Sequence, residues 1–343
     1  MTDARTPKPL LQIRDLSVRF KTDRGHVHAV NGVSYDLMPE ETLCIVGESG
    51  SGKSVHALSI LRLLPEPPAE ITSGSIRFDG QELLTASRQA MFDLRGNGIG
   101  MVFQNPMSSL NPVLTIGKQI TEVLRRHMKM DGKAAHRRAV ELLDRVRIPN
   151  AASRVHSYPH EFSGGQRQRI MIAIAIACNP RLLIADEATT ALDVTTQAEI
   201  IQLVRELKWE QSMAVIWITH DLGVVAGIAD TVQVMYAGGI VERGPVDAIF
   251  NDPRNAYTLG LLNSLPDVSD AHGARRSLRQ IDGMPPDLHV LPAGDPFAPR
   301  NPYATQRCFS EPPSLRQAEG AEPGHLVAAW YDLRKLARRE GAA

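Results

Sequence analysis

The residues Gly47-Glu48-Ser49-Gly50-Ser51-Gly52-Lys53-Ser54 carry the pattern G-x-x-x-x-G-K-[ST]. Glycines at these places let the backbone curl until its N–H groups converge on phosphate oxygens, and the helix expected next adds its positive N-terminal end. Lys53 is then placed for the β- and γ-phosphates, and the Ser54 hydroxyl for a magnesium ion. With glycine near 7% of residues, the pattern arises by chance in roughly 1% of chains this long, so nucleotide binding is the expectation. A second group is Leu182-Leu183-Ile184-Ala185-Asp186-Glu187, an apolar strand that ends in two carboxylates. Asp186 can hold the magnesium shell and Glu187 is the natural general base for an attacking water. A third group, Phe162-Ser163-Gly164-Gly165-Gln166-Arg167-Gln168-Arg169, opens a helix with a bare N-terminus that can receive a phosphate. Alone it is an ordinary glycine-rich cap. Beside a phosphate loop it serves a nucleotide held by another subunit, unless the chain folds back on itself.

The elements that must position these groups follow from periodicity. Leu11 to Phe20 and Ala29 to Leu37 read as strands around a turn at Asp23-Arg24-Gly25, and Thr42 to Val46 as a buried strand leading into the glycines. A helix is expected from Lys53 to about Leu64, stopped by Pro65, Pro67 and Pro68. Further strands are expected at Ser75 to Phe78, Ile99 to Phe103, Leu182 to Ala185, Ala214 to Thr219, Thr231 to Tyr236 and Gly239 to Val241. Helices fall at Ile116 to Arg147 with a break at Asp131-Gly132, Gln166 to Cys178, Thr195 to Trp209 and Leu222 to Ala229. Alternating strands and helices imply an α/β domain with a largely parallel sheet. The interval 117–180 has helices only, a helical insertion. Past Leu265 the chain turns proline-rich and aperiodic through residue 315, and a last helix is expected from Leu326 to Arg339.

Composition bounds the function classes. The chain has 343 residues, 43% hydrophobic and 22% charged, with 38 Lys plus Arg against 38 Asp plus Glu. Such balance gives no electrostatic footprint for nucleic acid. No apolar run reaches the ~18 residues that span a bilayer, and Met1 to Pro9 lacks the apolar core of a signal peptide. The expectation is a protein that stays in the cytosol and is held at any membrane by other chains. Cys44, Cys178 and Cys308 form no C-x-x-C pair, and the first two lie in apolar segments as small core residues.

Taken together, Gly47–Ser54, Gln104, Ser163-Gly164-Gly165-Gln166, Asp186-Glu187, Ala191-Leu192-Asp193 and His220 resemble the nucleotide-binding domain of ABC ATPases, in order and in spacing. The resemblance implies a P-loop NTPase fold of the ABC type: a mixed sheet, a helical subdomain at about 117–180, and a nucleotide-binding domain over 1–265. It also implies a head-to-tail dimer that sandwiches ATP molecules between one subunit's phosphate loop and the other's Ser163–Gln166, with Asp193 linking the two sites. Gln104 would sense the γ-phosphate and Mg²⁺ and contact the membrane partner, making Ser54, Gln104 and Asp186 the metal shell. His220 would bind the γ-phosphate and hold the attacking water beside Glu187, although a histidine after an apolar strand is, taken alone, more often structural. An aromatic from the first strands should stack on adenine, Phe20 ahead of His26.

The resemblance extends to a branch. Phe103-Gln104-Asn105-Pro106-Met107-Ser108-Ser109-Leu110-Asn111-Pro112, Tyr158-Pro159-His160-Glu161-Phe162 and Asp221-Leu222-Gly223-Val224-Val225-Ala226 look like segments of oligopeptide and dipeptide importer ATPases. So does the tail, with Gly283-Met284-Pro285-Pro286-Asp287-Leu288 and Phe297-Ala298-Pro299-Arg300, which makes 266–343 an importer-type C-terminal extension. Many relatives carry cysteines there for an iron–sulfur cluster. Here the corresponding positions read Asp295, Asn301, Cys308 and about Ala329, and one thiolate cannot hold a cluster that needs roughly four, so no cluster is expected. The tail is then a structural cap or a subunit contact. Ala188 replaces a common proline, which keeps both carboxylates and bears only on the stiffness of the turn. The implied partners are a second ABC ATPase, a heterodimer before a homodimer, two transmembrane permease subunits and, indirectly, an extracytoplasmic binding protein. The implied place is the cytoplasmic face of the cell membrane. The substrate class stays open among dipeptides, oligopeptides, nickel complexes and sugars. The competing classes are a non-transport ABC ATPase, which lacks support in the neutral charge, and an inactive ATP-binding partner, which Glu187 and His220 argue against.

Overall fold

The computed structural model describes residues 8–190, 192–265 and 280–340, with side chains up to residue 336. Two compact units divide the chain. The first takes the start of the chain to Leu11, Asp36–Thr42 and Arg77–Thr219; the second takes Gln12–Tyr35, Leu43–Ile76 and His220–Ala343.

In the first unit the strands Ile99–Val102, Leu182–Asp186 and Ala214–Ile218 run parallel, with Leu182–Asp186 in the middle. Both five-residue strands are buried throughout, which is why they read as continuous apolar runs rather than as alternation. The Gly164–Ala175 helix lies against the Ile99–Val102 strand so closely that a Cβ on Gly100 would sit 2.3 Å from the Ala175 carbonyl oxygen. Between residues 116 and 175 the elements are all helices. Ile116–Met128 is capped by Thr115 and buries Ile116, Ile120 and Leu124. Gly132–Arg145 is capped by Asp131 and buries Ala135, Ala139, Leu142 and Leu143, the spacing of one helix face. Lys129, in the left-handed region at φ 54°, ends the first of these helices near the break expected from Asp131-Gly132.

In the second unit the buried strand Thr42–Val46 pairs in parallel with Thr231–Tyr236, which pairs antiparallel with Gly239–Pro245. The sheet is therefore mixed, as the ABC-type expectation has it. The strands Leu11–Thr22, Gly25–Leu37 and Ala69–Phe78 belong to a separate antiparallel sheet, with Leu11–Thr22 between the other two.

Two expected helices are corrected. The one after the phosphate loop spans Lys53–Ile60, shorter than Lys53 to Leu64. Arg62 turns left-handed at φ 49°, and the N–H groups of Arg62 and Leu63 donate to the carbonyls of Ser59 and Leu58, closing the helix before the prolines are reached. The expected helix from Leu326 to Arg339 begins only at Leu333. Leu326–Val327 is instead a strand, paired antiparallel with Gly239–Pro245 and with Arg316–Gln317. Its register is held by the buried His325–Glu242 pair at 2.7 Å, with Glu242 also accepting from the N–H groups of Arg254 and Asn255. A local helical pattern loses here to strand pairing and a satisfied buried carboxylate. The helices Arg88–Leu94, Val246–Asn251 and Ala256–Asn263 had no clear periodic signal. All three cysteines are buried, and burial pushes the Cys178 thiol up to about 11.

Candidate functional site

The phosphate loop belongs to the second unit and grows out of the Thr42–Val46 strand. Gly47, Gly50 and Gly52 have φ of 148°, 79° and 95°, a region that favours glycine. Space also demands glycine: a Cβ would lie 2.1 Å from the Met235 carbonyl oxygen at Gly47 and 2.2 Å from the Ala29 carbonyl oxygen at Gly52. The loop curls around Lys53, a 5% exposed residue whose Nζ donates to the carbonyls of Gly47 and Glu48, each at 2.8 Å, and to Ser51 Oγ at 3.3 Å. Behind the loop the Gly238 N–H donates to the Ser51 carbonyl, and Asn31 Nδ2 donates to the Ala237 carbonyl at 2.9 Å. One turn into the helix, His56 is fully buried with Nε2 2.9 Å from the Tyr35 hydroxyl, and burial pulls its pKa down to about 4. The ring is neutral at physiological pH, so it adds no charge beneath the loop.

Glu48 is tied down more tightly than the pattern suggests. Its N–H donates to the Tyr257 hydroxyl at 2.7 Å, and its carboxylate takes both prongs of Arg300 at 2.7 and 3.0 Å. Nothing in the sequence near the loop points to Tyr257 or Arg300; the Phe297-Ala298-Pro299-Arg300 segment carries the only local signal for the latter. The adenine candidates Phe20 and His26 are half-buried on the hairpin of Leu11–Thr22 and Gly25–Leu37. The C-terminal extension reaches the same hairpin, where the His28 N–H donates to the Leu288 carbonyl at 2.9 Å. His220 is exposed, ahead of the Leu222–Ile228 helix that Asp221 caps.

The first unit brings Gln104 and Glu187 together. Gln104 Nε2 donates to Glu187 Oε2 at 2.7 Å, and Thr190 Oγ1 donates to the same oxygen at 3.3 Å. Glu187 is left-handed at φ 48°, held there by its N–H to the Ile218 carbonyl at 3.0 Å. A non-glycine residue in that region is strained, and such strain gathers where a side chain must be aimed. Asp186 ends the strand almost fully buried. With Ala188 in place of proline the turn still closes, through the Thr190 N–H to the Glu187 carbonyl at 3.2 Å.

Ser163 starts the Gly164–Ala175 helix, but the N-terminus is not bare as expected. Ser163 Oγ accepts from the Gln166 N–H at 3.3 Å and Gln166 Oε1 accepts from the Ser163 N–H at 3.1 Å, a reciprocal cap. The sequence S-G-G-Q itself encodes that cap, a signal outweighed by the two glycines. Ser163, Gly164, Gly165, Gln166 and Asp193 line one surface groove of about 480 Å³. Asp193 caps the Val194–Gln211 helix, accepting from the Thr196 N–H at 3.0 Å and hydroxyl at 2.8 Å, and the backbone bond foremost holds its carboxyl below the usual range. Ala191, the first residue of the Ala191-Leu192-Asp193 group, lies outside the described residues.

In the extension, Asp295, Asn301, Cys308 and Ala329 are all buried. The Asp295 N–H donates to the Cys308 carbonyl at 2.7 Å, and Asp295 and Asn301 turn their oxygens onto the N–H groups of Phe297 and Tyr303. Among the described residues no group of three or more His, Cys, Asp and Glu side chains is arranged to hold a metal ion.

Comparison with known proteins assigns the class. Residues 30–190 match the ABC transporter family and residues 241–308 match the oligopeptide/dipeptide transporter C-terminal region. The oligopeptide transport ATP-binding protein OppD of Bacillus subtilis (strain 168) is 51% identical over 94% of this chain and 88% of its own length. A putative peptide import ATP-binding protein of Brucella abortus (strain 2308) is 51% identical over 93% of this chain and 95% of its own. Among solved structures, a dimeric ATP-binding cassette in a post-hydrolysis state bound to ADP and Pi aligns with a TM-score of 0.62 at 27% identity, over 69% of this chain and 98% of that one. The cbiO1 subunit of Clostridium perfringens, part of an ABC transporter complex, aligns with a TM-score of 0.61 at 27% identity, over 71% and 91%. The chain belongs to the ABC transporter ATP-binding proteins, in the branch that carries the oligopeptide/dipeptide C-terminal region. It is an ATPase.

Proposed function

We propose that this chain hydrolyses ATP as one of two ATPase subunits that drive peptide import through a channel made by other chains. The observation that carries the reading is the phosphate loop: a buried ammonium ringed by the carbonyls of Gly47 and Glu48 at the head of a helix. The peptide branch is supported by 51% identity to OppD that runs through the extension. Gly47–Ser54 and Lys53 bind the triphosphate, and Ser54, Asp186 and Gln104 offer the hard oxygen donors that suit Mg²⁺. That ion, when bound, neutralises charge that builds on the phosphates. Glu187, aimed by its backbone and by Gln104, takes the proton of the attacking water, and His220 holds that water.

Ser163, Gly164, Gly165 and Gln166 serve the nucleotide of the partner subunit, with Asp193 as the link between the sites. The solved dimeric cassette supports such pairing. The second subunit is a similar ATPase, a heterodimer rather than a homodimer, docked on two permease subunits at the cytoplasmic face of the membrane and served by an extracytoplasmic binding protein. Among the described residues no helix is long and apolar enough to cross a membrane.

The test is uptake into liposomes holding the full complex. Peptide should enter only with ATP, and Lys53→Ala should abolish uptake and hydrolysis. Uptake at the wild-type rate with Lys53→Ala contradicts the reading. Stimulation by a nickel complex or a sugar and not by peptides overturns the substrate class while leaving the ATPase in place.

A further inference from the structure

The loop's second residue presents an electrostatic problem. A carboxylate at Glu48 stands beside the place where a triphosphate must bind, and like charges there weaken binding. The structure answers it with a guanidinium from far along the chain. Arg300 holds the Glu48 carboxylate with two prongs at 2.7 and 3.0 Å, the geometry that suits arginine and not lysine. Three further acceptors fix the same guanidinium: the Tyr236 hydroxyl at 3.2 Å and the carbonyls of Asp282 at 2.9 Å and Ile281 at 3.2 Å. The Arg300 side chain is 5% exposed and that of Glu48 is 27% exposed. Rings of Tyr236, Tyr257 and Phe297 wall the pair, with centroids 4.6 to 5.3 Å apart. Tyr257 adds the backbone half of the grip through the Glu48 N–H. The chain of contacts does not stop at Glu48, because its carbonyl is one of the acceptors that locate Lys53 Nζ.

We propose that Arg300 is a positioning residue for the ATPase reaction: by clamping and neutralising Glu48 it sets the phosphate loop and the Lys53 ammonium, so that nucleotide affinity depends on the C-terminal extension. This rests on the reading that Gly47–Ser54 binds the phosphates of ATP. The extension is thereby part of the nucleotide site's support and more than a cap on the fold. The carboxylate left by Arg300→Met repels phosphate, whereas the pair Arg300→Met and Glu48→Gln carries no charge to repel it.

The experiment measures ATP affinity of the full-length protein by calorimetry, with a melting curve for each variant. Arg300→Met should weaken ATP binding by about tenfold or more, and Arg300→Lys by less. Adding Glu48→Gln to Arg300→Met should return affinity to within about threefold of wild type, a strongly non-additive cycle. A purely structural role predicts a lowered melting temperature that the second substitution does not correct, with affinity falling in step. Wild-type affinity in Arg300→Met, or a double variant no better than the single, overturns the proposal. If Arg300→Met does not fold, Tyr257→Phe keeps the ring and removes only the hydroxyl that takes the Glu48 N–H; it should weaken ATP by about threefold, and unchanged affinity overturns the proposal. A wild-type chain that binds no ATP shows, before any variant is compared, that the reading of the loop itself has failed.

Discussion

The chain has two glycine-rich helix starts that read almost alike, Gly47–Ser54 and Ser163–Gln166, and the structure treats them differently. At the first, glycine is compulsory by collision: added Cβ atoms at Gly47 and Gly52 would strike backbone carbonyls, and the loop's lysine is buried. At the second, a Cβ on Gly164 would approach nothing closer than Leu192 Cδ2 at 3.9 Å, and only Gly165 is crowded, by Thr196 Cγ2 at 2.6 Å. On the proposed reading, the phosphate loop serves a ligand this chain encloses, and the Ser163 turn serves one that another subunit brings.

The contrast predicts a graded set of effects. Gly52→Ala combines a left-handed φ with a backbone clash and should destabilise the protein by about 3 kcal/mol or more and abolish ATP binding, read by melting and calorimetry. His56, buried under the first loop, gives a pH signature. Its folded pKa lies below the unfolded value, so the unfolded chain takes up the proton first as pH falls. Stability is complete above about 6.5 and declines as pH drops toward 4, by on the order of 3 kcal/mol from this residue. His56→Leu should flatten the melting temperature across that window; an unchanged slope would show that His56 does not stay neutral in the fold. Gly165→Ala should cost about 1 to 2 kcal/mol, because Thr196 must yield, and Thr196→Ser should recover much of it. Asp193→Ala removes a cap and should cost about 1 kcal/mol. The smallest effect on stability is the sharpest test of the contrast. Gly164→Asp should leave the melting curve within about 0.5 kcal/mol, since an acid at a helix start is tolerated, yet turnover of the assembled complex should fall by at least about tenfold. Unimpaired turnover in that variant would remove the reason for assigning the turn to a partner's nucleotide.

Much of this was legible in the sequence, because the relevant signals are local. The strand-to-helix turn at Gly47–Gly52, the apolar strand ending at Asp186 and the helices between residues 116 and 175 each depend on neighbours a few residues away, and these elements appear where the pattern put them. What stayed hidden depends on distant partners. Nothing near Leu326 says that it will pair with Gly239–Pro245, or that His325 will meet Glu242. Glu48 reads as a variable loop position until Arg300, 252 residues later, is seen on its carboxylate. The left-handed backbone of Glu187 is likewise set by its hydrogen bond to Ile218, and not by its own sequence neighbours. The Ser163 cap is encoded as S-x-x-Q, while the two glycines inside it carry the competing signal of an open N-terminus.

The most direct test of the central claim is ATP retention and hydrolysis by the reconstituted complex carrying Glu187→Gln. Labelled ATP should stay bound through gel filtration and remain uncleaved at this subunit's phosphate loop, while the wild-type complex turns it over. If the variant complex hydrolyses ATP at the wild-type rate, Glu187 is not the base, the chemistry belongs to the other ATPase subunit, and this chain's phosphate loop is regulatory.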